Sequence, residues 1–225
     1  MSTYDFSVAA NGSFQLPSPS SKQVFVRLSV LDTSPFLSSY QDNSTSPEMR
    51  ARLAAQNTTA QLAFFNESLS GLLDAPSNVP TDAVVWQLVM GHHPIISSNV
   101  DHPPLSTEML SQIEPLLRSH GVHAYLNGHA HMLEYLSNYA GDNVAYICSG
   151  AGSDLLSGGG PYINPSEYSR MSNTTLNGFV TVQFNEVHMN VTYWGVDLSP
   201  QADPLDGSQL KAAILYTTLV PFNRQ

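Results

Sequence analysis

Two apolar runs that each end at a glycine followed by histidine constrain this 225-residue chain more than any other feature. Both runs have the composition of a buried strand, and glycine is a common point for a strand to pass into a loop. The runs with their histidines are residues 84–89 with His92 and His93, and residues 124–126 with His129 and His131. We therefore predict two strands whose following loops carry imidazoles.

The spacing of these histidines predicts a metal site. Residues i and i+2 of an extended segment point to the same side, so His129 and His131 are expected to face one site together with His92. Imidazole nitrogen is a common ligand of Zn(II) and related ions. Isolated histidines are more often surface or core residues, and we assign His120, His123 and His188 to that class.

The rest of the chain alternates strand and helix patterns. This alternation predicts an α/β fold in which a mixed sheet carries flanking helices. Residues 1–22 are interpreted as an irregular N-terminal segment and residues 23–225 as one domain. Predicted strands are 24–31, 84–89, 124–126, 133–136, 145–148, 179–184, 187–194 and 212–219. A helical pattern begins at residue 47, and helices are predicted near 58–73, most clearly over 61–73, and at 106–119, the second kinked or restarted at Pro115.

Charge excludes several classes of partner. The formal net charge is −10 with only eight Lys and Arg, which argues against nucleic acid and against an anionic membrane surface. No run approaches the ~20 apolar residues of a membrane span. Phosphate chemistry would need positive charge supplied locally, by metal ions and protonated histidines.

The location of the protein is indicated only indirectly. Six N-x-S/T sequons favour a secreted glycoprotein or a lysosome-like or vacuole-like compartment, although residues 1–5 lack the features of a signal peptide. The single cysteine, Cys148, excludes an internal disulfide and is interpreted as a small core residue. The sequons are Asn11, Asn43, Asn57, Asn66, Asn173 and Asn190.

Three other features do not indicate chemistry. The glycine-rich segment 149–160 lacks the Lys-Ser/Thr of a phosphate-binding loop and is interpreted as a flexible loop near the rim of the site. Ser153 lacks the G-x-S-x-G frame of a hydrolase nucleophile. Asp32 follows a predicted strand, where its carboxylate is expected to cap the next turn.

Several motifs occur in the order found in a known family. They are GHHP at 91–94, DHP at 101–103 and IEPLLRSHGVHAYLNGHAH at 113–131. With weaker matches between residues 14 and 193, they resemble the C-terminal half of a purple acid phosphatase of the tartrate-resistant type. That family is part of the calcineurin-like metallophosphoesterases.

The resemblance implies a fold, a cofactor and a reaction. The fold is the C-terminal half of a four-layer αββα sandwich. The cofactor is a binuclear metal centre of iron with zinc, manganese or iron, in which His92 and His129 bind one ion and His131 the other. The reaction is hydrolysis of phosphate monoesters, with His102 as an acid or substrate contact.

The chain also departs from the family. Ala130 stands where the family usually has Asp, and His93 where Tyr is common. The family's upstream Asp, Gly-Asp-x-x-Tyr and Gly-Asn-His motifs have no counterpart before residue 14. A truncated phosphatase of little or no activity is therefore expected, with an exposed apolar face or edge around 84–89 that favours self-association or pairing with a missing N-terminal half. The alternative is a secreted, glycosylated pseudo-phosphatase that acts as a binding protein.

Overall fold

The computed structural model describes residues 6–7, 22–41, 45–70, 79–99, 107–153, 155, 167–197 and 211–222. These residues form ten strands and four α-helices. The strands are β1 Phe6–Ser7, β2 Val24–Leu31, β3 Val84–Gly91, β4 Ala124–Asn127, β5 Leu133–Ser137, β6 Ala145–Ser149, β7 Ser169–Asn173, β8 Asn177–Phe184, β9 His188–Asp197 and β10 Lys211–Pro221. The helices are α1 Pro47–Ala54, α2 Thr58–Leu69, α3 Thr107–Gln112 and α4 Glu114–Ser119.

The strands form two sheets. A seven-stranded mixed sheet has the order β1-β2-β3-β4-β6-β5-β7, in which β2, β3, β4 and β6 are parallel. A three-stranded antiparallel sheet has the order β10-β9-β8. The predicted α/β class with a mixed sheet is confirmed. Within the segment predicted to be irregular, Phe6–Ser7 pairs with β2.

Both faces of the large sheet are covered. On one face Val89, Tyr125 and Tyr146 pack with residues of the helices, among them Phe65 and Met109. On the other face, side chains of the large sheet meet those of the small sheet. This second core includes Val84, Trp86, Leu88, Ala124, Ile147, Met189, Val191 and Tyr193. The described residues thus provide a helical layer and two sheets of the expected sandwich.

The predicted exposed apolar face or edge around residues 84–89 is wrong. Strand β3 is hydrogen-bonded to β2 on one side and to β4 on the other. Its side chains Val84, Trp86 and Val89 are at most 2% exposed. The prediction that this strand is buried on both faces is confirmed. The helices bury one face and the small sheet buries the other.

The helices follow local rules, with shifted boundaries. Helix α2 begins after Asn57, whose side chain accepts a hydrogen bond from the Ala60 amide (2.9 Å), and it runs from Thr58 to Leu69, so the start predicted near residue 58 is confirmed. Residues 71–73 lie outside the described part of the chain. The second predicted helix is divided into α3 and α4 because Pro115 occupies the first turn of α4.

Strand β7 was missed because its sequence, SRMSN, lacks an apolar alternation. It is added to the sheet by pairing with β5. None of the helices in the described part of the chain has the length and apolar composition needed to cross a membrane.

Candidate metal centre

Two neighbouring parallel strands bring the predicted histidines together. Strands β3 and β4 are paired in register from Leu88 with Ala124 onward, so they end side by side at the same edge of the sheet. The amide of Gly128 donates to the carbonyl of His92 (3.1 Å), which joins the two loops where they leave the sheet. Ligand side chains are commonly placed at the carboxyl ends of strands in α/β folds.

Three imidazoles form a compact group here. Within the described residues, His92, His93 and His129 offer ligand atoms that all lie within 4.8 Å of one another. Nε2 of His92 and Nδ1 of His129 lie 3.0 Å apart. Two nitrogens bound to one tetrahedral Zn(II) at about 2.0–2.1 Å lie about 3.3 Å apart, so a small separation of these rings would admit an ion.

The ring of His93 differs from the other two in its partners. It is 2% exposed, Nδ1 lies 2.8 Å from Oγ1 of Thr33, and Nε2 lies 2.8 Å from the hydroxyl of Tyr40. The buried hydroxyl of Tyr125 donates to the His93 carbonyl (2.7 Å). Because both ring nitrogens are hydrogen-bonded within the protein, His93 supports its neighbours and would coordinate an ion only by giving up Thr33 or Tyr40.

The loop of His129 and His131 is not extended, which corrects the geometric argument from the sequence. Both residues have positive φ, 58° and 49°, so the alternation of side chains along a strand does not apply. This left-handed conformation costs roughly 1–2 kcal/mol for a non-glycine residue and persists where neighbouring structure enforces it. Ala130, between the two histidines, is fully buried and its carbonyl accepts from Nδ2 of Asn99 (3.1 Å).

A buried carboxylate holds the segment that carries Asn99. Glu134 is 0% exposed. Its Oε2 accepts from the Ser97 hydroxyl (3.2 Å) and the Ser98 amide (3.1 Å), and its Oε1 accepts from the Ser169 hydroxyl (3.0 Å). The loop of His129 is therefore connected through Asn99 and Ser97 to a core carboxyl group of which both oxygens accept hydrogen bonds. Sequence reasoning missed both Asn99 and Glu134, since neither lies in a recognisable motif.

The remaining predicted residues divide into three groups. His131 is exposed and lies outside the close group of imidazoles, so its assignment to a second ion stays a prediction. His102 lies outside the described residues. His93, which the sequence presented only as a variant position, joins the group, and its position next to His92 was the signal available for it.

The side chains predicted to have structural roles do have them. Oδ1 of Asp32 accepts from the Ser34 amide (3.1 Å), as expected for a turn cap. His120 is hydrogen-bonded to Asn66 (2.8 Å), and His123 accepts from the amide of Gln87 (3.0 Å). Burial raises the pKa of Cys148 to about 12, which is consistent with a small core residue and not with a reactive thiol.

A cleft between the two sheets borders the imidazole group. It has a volume of about 590 Å³, and His92 lies on its wall. Most of its lining is apolar: Met90, Leu126 and Ile147 come from the large sheet, and Val180 and Val182 come from β8. Among the described strands β8 has a hydrogen-bonded partner on one side only, which is β9.

The donor set fits one ion and not two. His92 and His129 provide two imidazole nitrogens 3.0 Å apart, and an ion held by them would keep open positions. A binuclear centre needs a bridging oxygen ligand and anionic ligands to offset the charge of two ions. No Asp or Glu of the described residues belongs to the group. The described residues alone therefore do not provide the donors of a complete binuclear centre.

Comparisons with known proteins agree with the fold. No family model matches the chain. It is 29% identical over 174 residues to purple acid phosphatase 3 of Arabidopsis thaliana, covering 76% of this chain and 44% of that protein. It is 31% identical over 176 residues to tartrate-resistant acid phosphatase type 5 of Sus scrofa, covering 76% and 47%. The chain thus spans about half the length of these relatives.

Two solved structures share the fold. The first is described as GAP50, the anchor in the inner membrane complex of Plasmodium, with a TM-score of 0.61, 16% identity, and coverage of 92% of this chain and 52% of that one. The second is purple acid phosphatase PPD1 from yellow lupin (Lupinus luteus) seeds, with a TM-score of 0.50, 15% identity, and coverage of 76% and 28%.

Fold and site together define a layered α/β protein with imidazoles at the carboxyl ends of parallel strands. Within that class the chain is a relative of the purple acid phosphatases and corresponds to their C-terminal half.

Proposed function

We propose that this chain provides the histidine side of a phosphomonoester hydrolase centre of the purple acid phosphatase type. The observation that carries the proposal is the 3.0 Å contact between Nε2 of His92 and Nδ1 of His129 at the ends of adjacent parallel strands. Two imidazoles directed at one point, with a third ring behind them, are what a metal site requires and what a phosphate ester would approach.

Each residue has a separate part in this proposal. His92 and His129 would hold an ion, which when bound supplies Lewis acidity and a hydroxide at neutral pH. His93 would keep its hydrogen bonds to Thr33 and Tyr40. Because it follows His92 directly in the chain, it would thereby hold His92 in position. His131 would bind a second ion, and His102 would contact the phosphate or protonate the leaving group. Both roles follow from the resemblance to the purple acid phosphatases.

The centre needs anionic ligands from elsewhere, and we propose that a carboxylate-bearing strand brings them. The edge of β8 that pairs with no described strand offers backbone hydrogen bonds, and the cleft beneath it offers apolar contacts to alternate side chains of an added strand. Such a strand would end next to His92. It would come from another part of the polypeptide or from a separate chain.

The test measures metal binding and turnover in the 225-residue chain. We expect isothermal titration with Zn(II) to show weak binding that falls at least about 10-fold in His92→Ala and His129→Ala, since even lost supporting contacts cost 10–100-fold. His120→Ala is the matched control because His120 bonds Asn66 away from the group. With p-nitrophenyl phosphate we expect little or no hydrolysis.

Two outcomes would overturn the proposal. Equal Zn(II) affinity in His92→Ala, His129→Ala and the wild type would show that the imidazole group is not a metal site. Robust hydrolysis of p-nitrophenyl phosphate by this chain, lost in His129→Ala, would show that no added carboxylates are needed and that the donor analysis is wrong.

A second candidate function is a binding protein without turnover. It is supported by the absence of a carboxylate from the imidazole group of the described residues and by the hydrogen bonds that occupy the ring of His93. The Plasmodium protein GAP50, which has the same fold with a TM-score of 0.61, is described as an anchor, so a protein with this fold can act by attachment. Absence of hydrolysis when a carboxylate-bearing segment restores metal binding would favour this candidate.

We also propose that the protein is a secreted glycoprotein. Two of the sequons, Asn57 and Asn66, are at exposed positions of the helical layer. The Asn57 side chain caps α2 through Oδ1, which leaves Nδ2 for attachment of a glycan. A mass decrease after treatment with peptide N-glycosidase F, when the protein is expressed in a secretory host, would support this, and an unchanged mass would exclude it.

A further inference from the structure

The three imidazoles of the candidate metal centre contact one another as a triangle. The ring centroids of His93 lie 4.7 Å from those of His92 and 4.4 Å from those of His129, and the remaining pair is 4.9 Å apart. One nitrogen of each ring lies within 4.8 Å of the others. Three imidazoles can hold one Zn(II) and leave a single open position. The number of nitrogen ligands at this site therefore depends on whether His93 is available to the ion.

The two partners of His93 differ in how firmly they are held. Thr33 is 1% exposed, and its Oγ1 contacts both the backbone amide of His93 (3.2 Å) and the ring Nδ1 (2.8 Å). Tyr40 belongs to the short 3₁₀ helix Ser38–Gln41 and is partly exposed. Its hydroxyl lies 2.8 Å from Nε2. Release of Nε2 needs only the movement of a partly exposed phenol, whereas release of Nδ1 would break two buried contacts.

The two partners also differ in whether an ion can coexist with them. A neutral imidazole carries its proton on one nitrogen and binds an ion with the other. With an ion on Nε2 the proton is on Nδ1, where it can be donated to Oγ1 of Thr33, and this is the usual arrangement for histidine that binds a metal. The contact with Tyr40 occupies Nε2 itself. Tyr40 and an ion therefore compete for the same atom, and Thr33 is compatible with both.

We propose that Tyr40 is a positioning residue that sets the ligand number of the metal centre, because its hydroxyl occupies Nε2 of His93 and keeps this imidazole from the ion. An ion held by His92 and His129 alone retains two open positions in tetrahedral geometry. Hydrolysis at a two-metal centre needs such positions for anionic oxygen ligands and for the phosphate. A third imidazole would take one of them. This inference rests on the proposed function, since it concerns the same ion.

The test removes only the hydroxyl. We expect isothermal titration of Tyr40→Phe with Zn(II) to show an affinity at least about 10-fold higher than that of the wild type. A third ligand is worth at least as much as a supporting contact, whose loss already costs about 10–100-fold. The double variant Tyr40→Phe/His93→Ala should lose the gain. A tyrosine that merely supported the site would give the opposite result, which is weaker binding in Tyr40→Phe.

A spectroscopic measurement reports directly on His93. In the chain labelled with ¹⁵N and saturated with Zn(II), we expect the Nε2 resonance of His93 to take the chemical shift of a metal-bound nitrogen in Tyr40→Phe and not in the wild type. The His93→Ala variant assigns the resonance. Coordination of His93 in the wild type would overturn the proposal whatever the behaviour of the variants.

Controls separate this inference from the proposed function. Tyr139→Phe removes the hydroxyl of a partly exposed tyrosine before the amino end of β6, whereas the imidazoles lie beyond the carboxyl ends of β3 and β4, so it should leave the Zn(II) affinity unchanged. Urea unfolding shows that Tyr40→Phe is folded.

The two possible failures have different signatures. Equal or weaker Zn(II) affinity in Tyr40→Phe, with His92→Ala still reducing the affinity, would overturn the role of Tyr40 alone. Equal affinity in the wild type, His92→Ala and His129→Ala would overturn the proposed function. A gain in Tyr40→Phe that is lost on addition of His93→Ala would support the role of Tyr40 in either case.

Discussion

Substitution of Glu134 tests whether the site is held by the core. This carboxylate has no exposed surface and accepts hydrogen bonds from Ser97, Ser98 and Ser169. The Ser97 hydroxyl also accepts a hydrogen bond from the backbone amide of Asn99 (3.1 Å). The side-chain amide of Asn99 in turn donates to the Ala130 carbonyl in the histidine loop. A change at Glu134 is therefore expected to alter both the stability of the fold and the geometry of the metal group.

The expected magnitudes follow from these contacts. Glu134→Ala leaves three donors facing a new cavity, and losses of this kind destabilise proteins by about 3–5 kcal/mol. Glu134→Gln retains the volume and one acceptor oxygen, which can face the Ser98 amide while its NH₂ donates to the Ser169 hydroxyl. The remaining loss is the replacement of carboxyl acceptors by an amide in up to three hydrogen bonds, for which we expect about 1–2 kcal/mol.

Urea unfolding of wild type, Glu134→Gln and Glu134→Ala measures the stability change. Titration of each folded variant with Zn(II) in the absence of urea measures the change in Zn(II) affinity. We expect Asn99→Ala, which removes the hydrogen bond to Ala130, to weaken Zn(II) binding about 10-fold with a small change in stability. If Glu134→Ala cost under 1 kcal/mol, or if Asn99→Ala left Zn(II) affinity unchanged, the proposed connection between core and site would be refuted.

Three further predictions concern other positions. Burial raises the folded-state pKa of Asp142 from its usual 3.8 to about 6. The free energy of unfolding should therefore fall as the pH rises from about 4 to about 6. In urea unfolding, Asp142→Asn should abolish this pH dependence and stabilise the fold by about 1–3 kcal/mol at pH 7. Gly91→Ala should destabilise by about 1–3 kcal/mol, because its Cβ would overlap the Tyr125 hydroxyl and lie 2.6 Å from Cγ2 of Thr33; an unchanged midpoint would contradict this. His131→Ala should change the Zn(II) affinity of this chain by much less than the ~10-fold typical of lost metal-site contacts, and a larger loss would place His131 on the same ion as His129.

The strands and the class of fold were predictable because their signals are local. Residues 84–91 carry the apolar run of a strand covered on both faces, and Pro115 interrupts the second helical pattern where α3 gives way to α4. The position of β3 between β2 and β4 was not predictable in the same way. The two faces of β3 are buried by segments distant in sequence, namely the helices on one face and β9 on the other.

The candidate site was predictable only in part. The Gly-His junctions predicted that His92 and His129 lie close together, because a strand end delivers the following side chain to the sheet edge, and the structure places their rings in contact. The backbone of His129 and His131 was assigned wrongly, since nothing in GHAH indicates two positive φ values. Histidine is among the residues that adopt this conformation more often than most, so only the surrounding contacts decide it.

The strained backbone of the histidine loop bears on the choice between the two candidate functions. Two non-glycine residues in the left-handed region cost roughly 1–2 kcal/mol each, and the chain sustains them with Asn99, Glu134 and their hydrogen bonds. Such strain concentrates at positions where a ligand requires one geometry. A binding surface without a metal gains nothing from it, because the strain fixes imidazoles and not a broad contact area. The loop therefore favours a metal-dependent function, and His129→Gly distinguishes the cases: greater stability with lost Zn(II) binding is expected if the strain serves the ion.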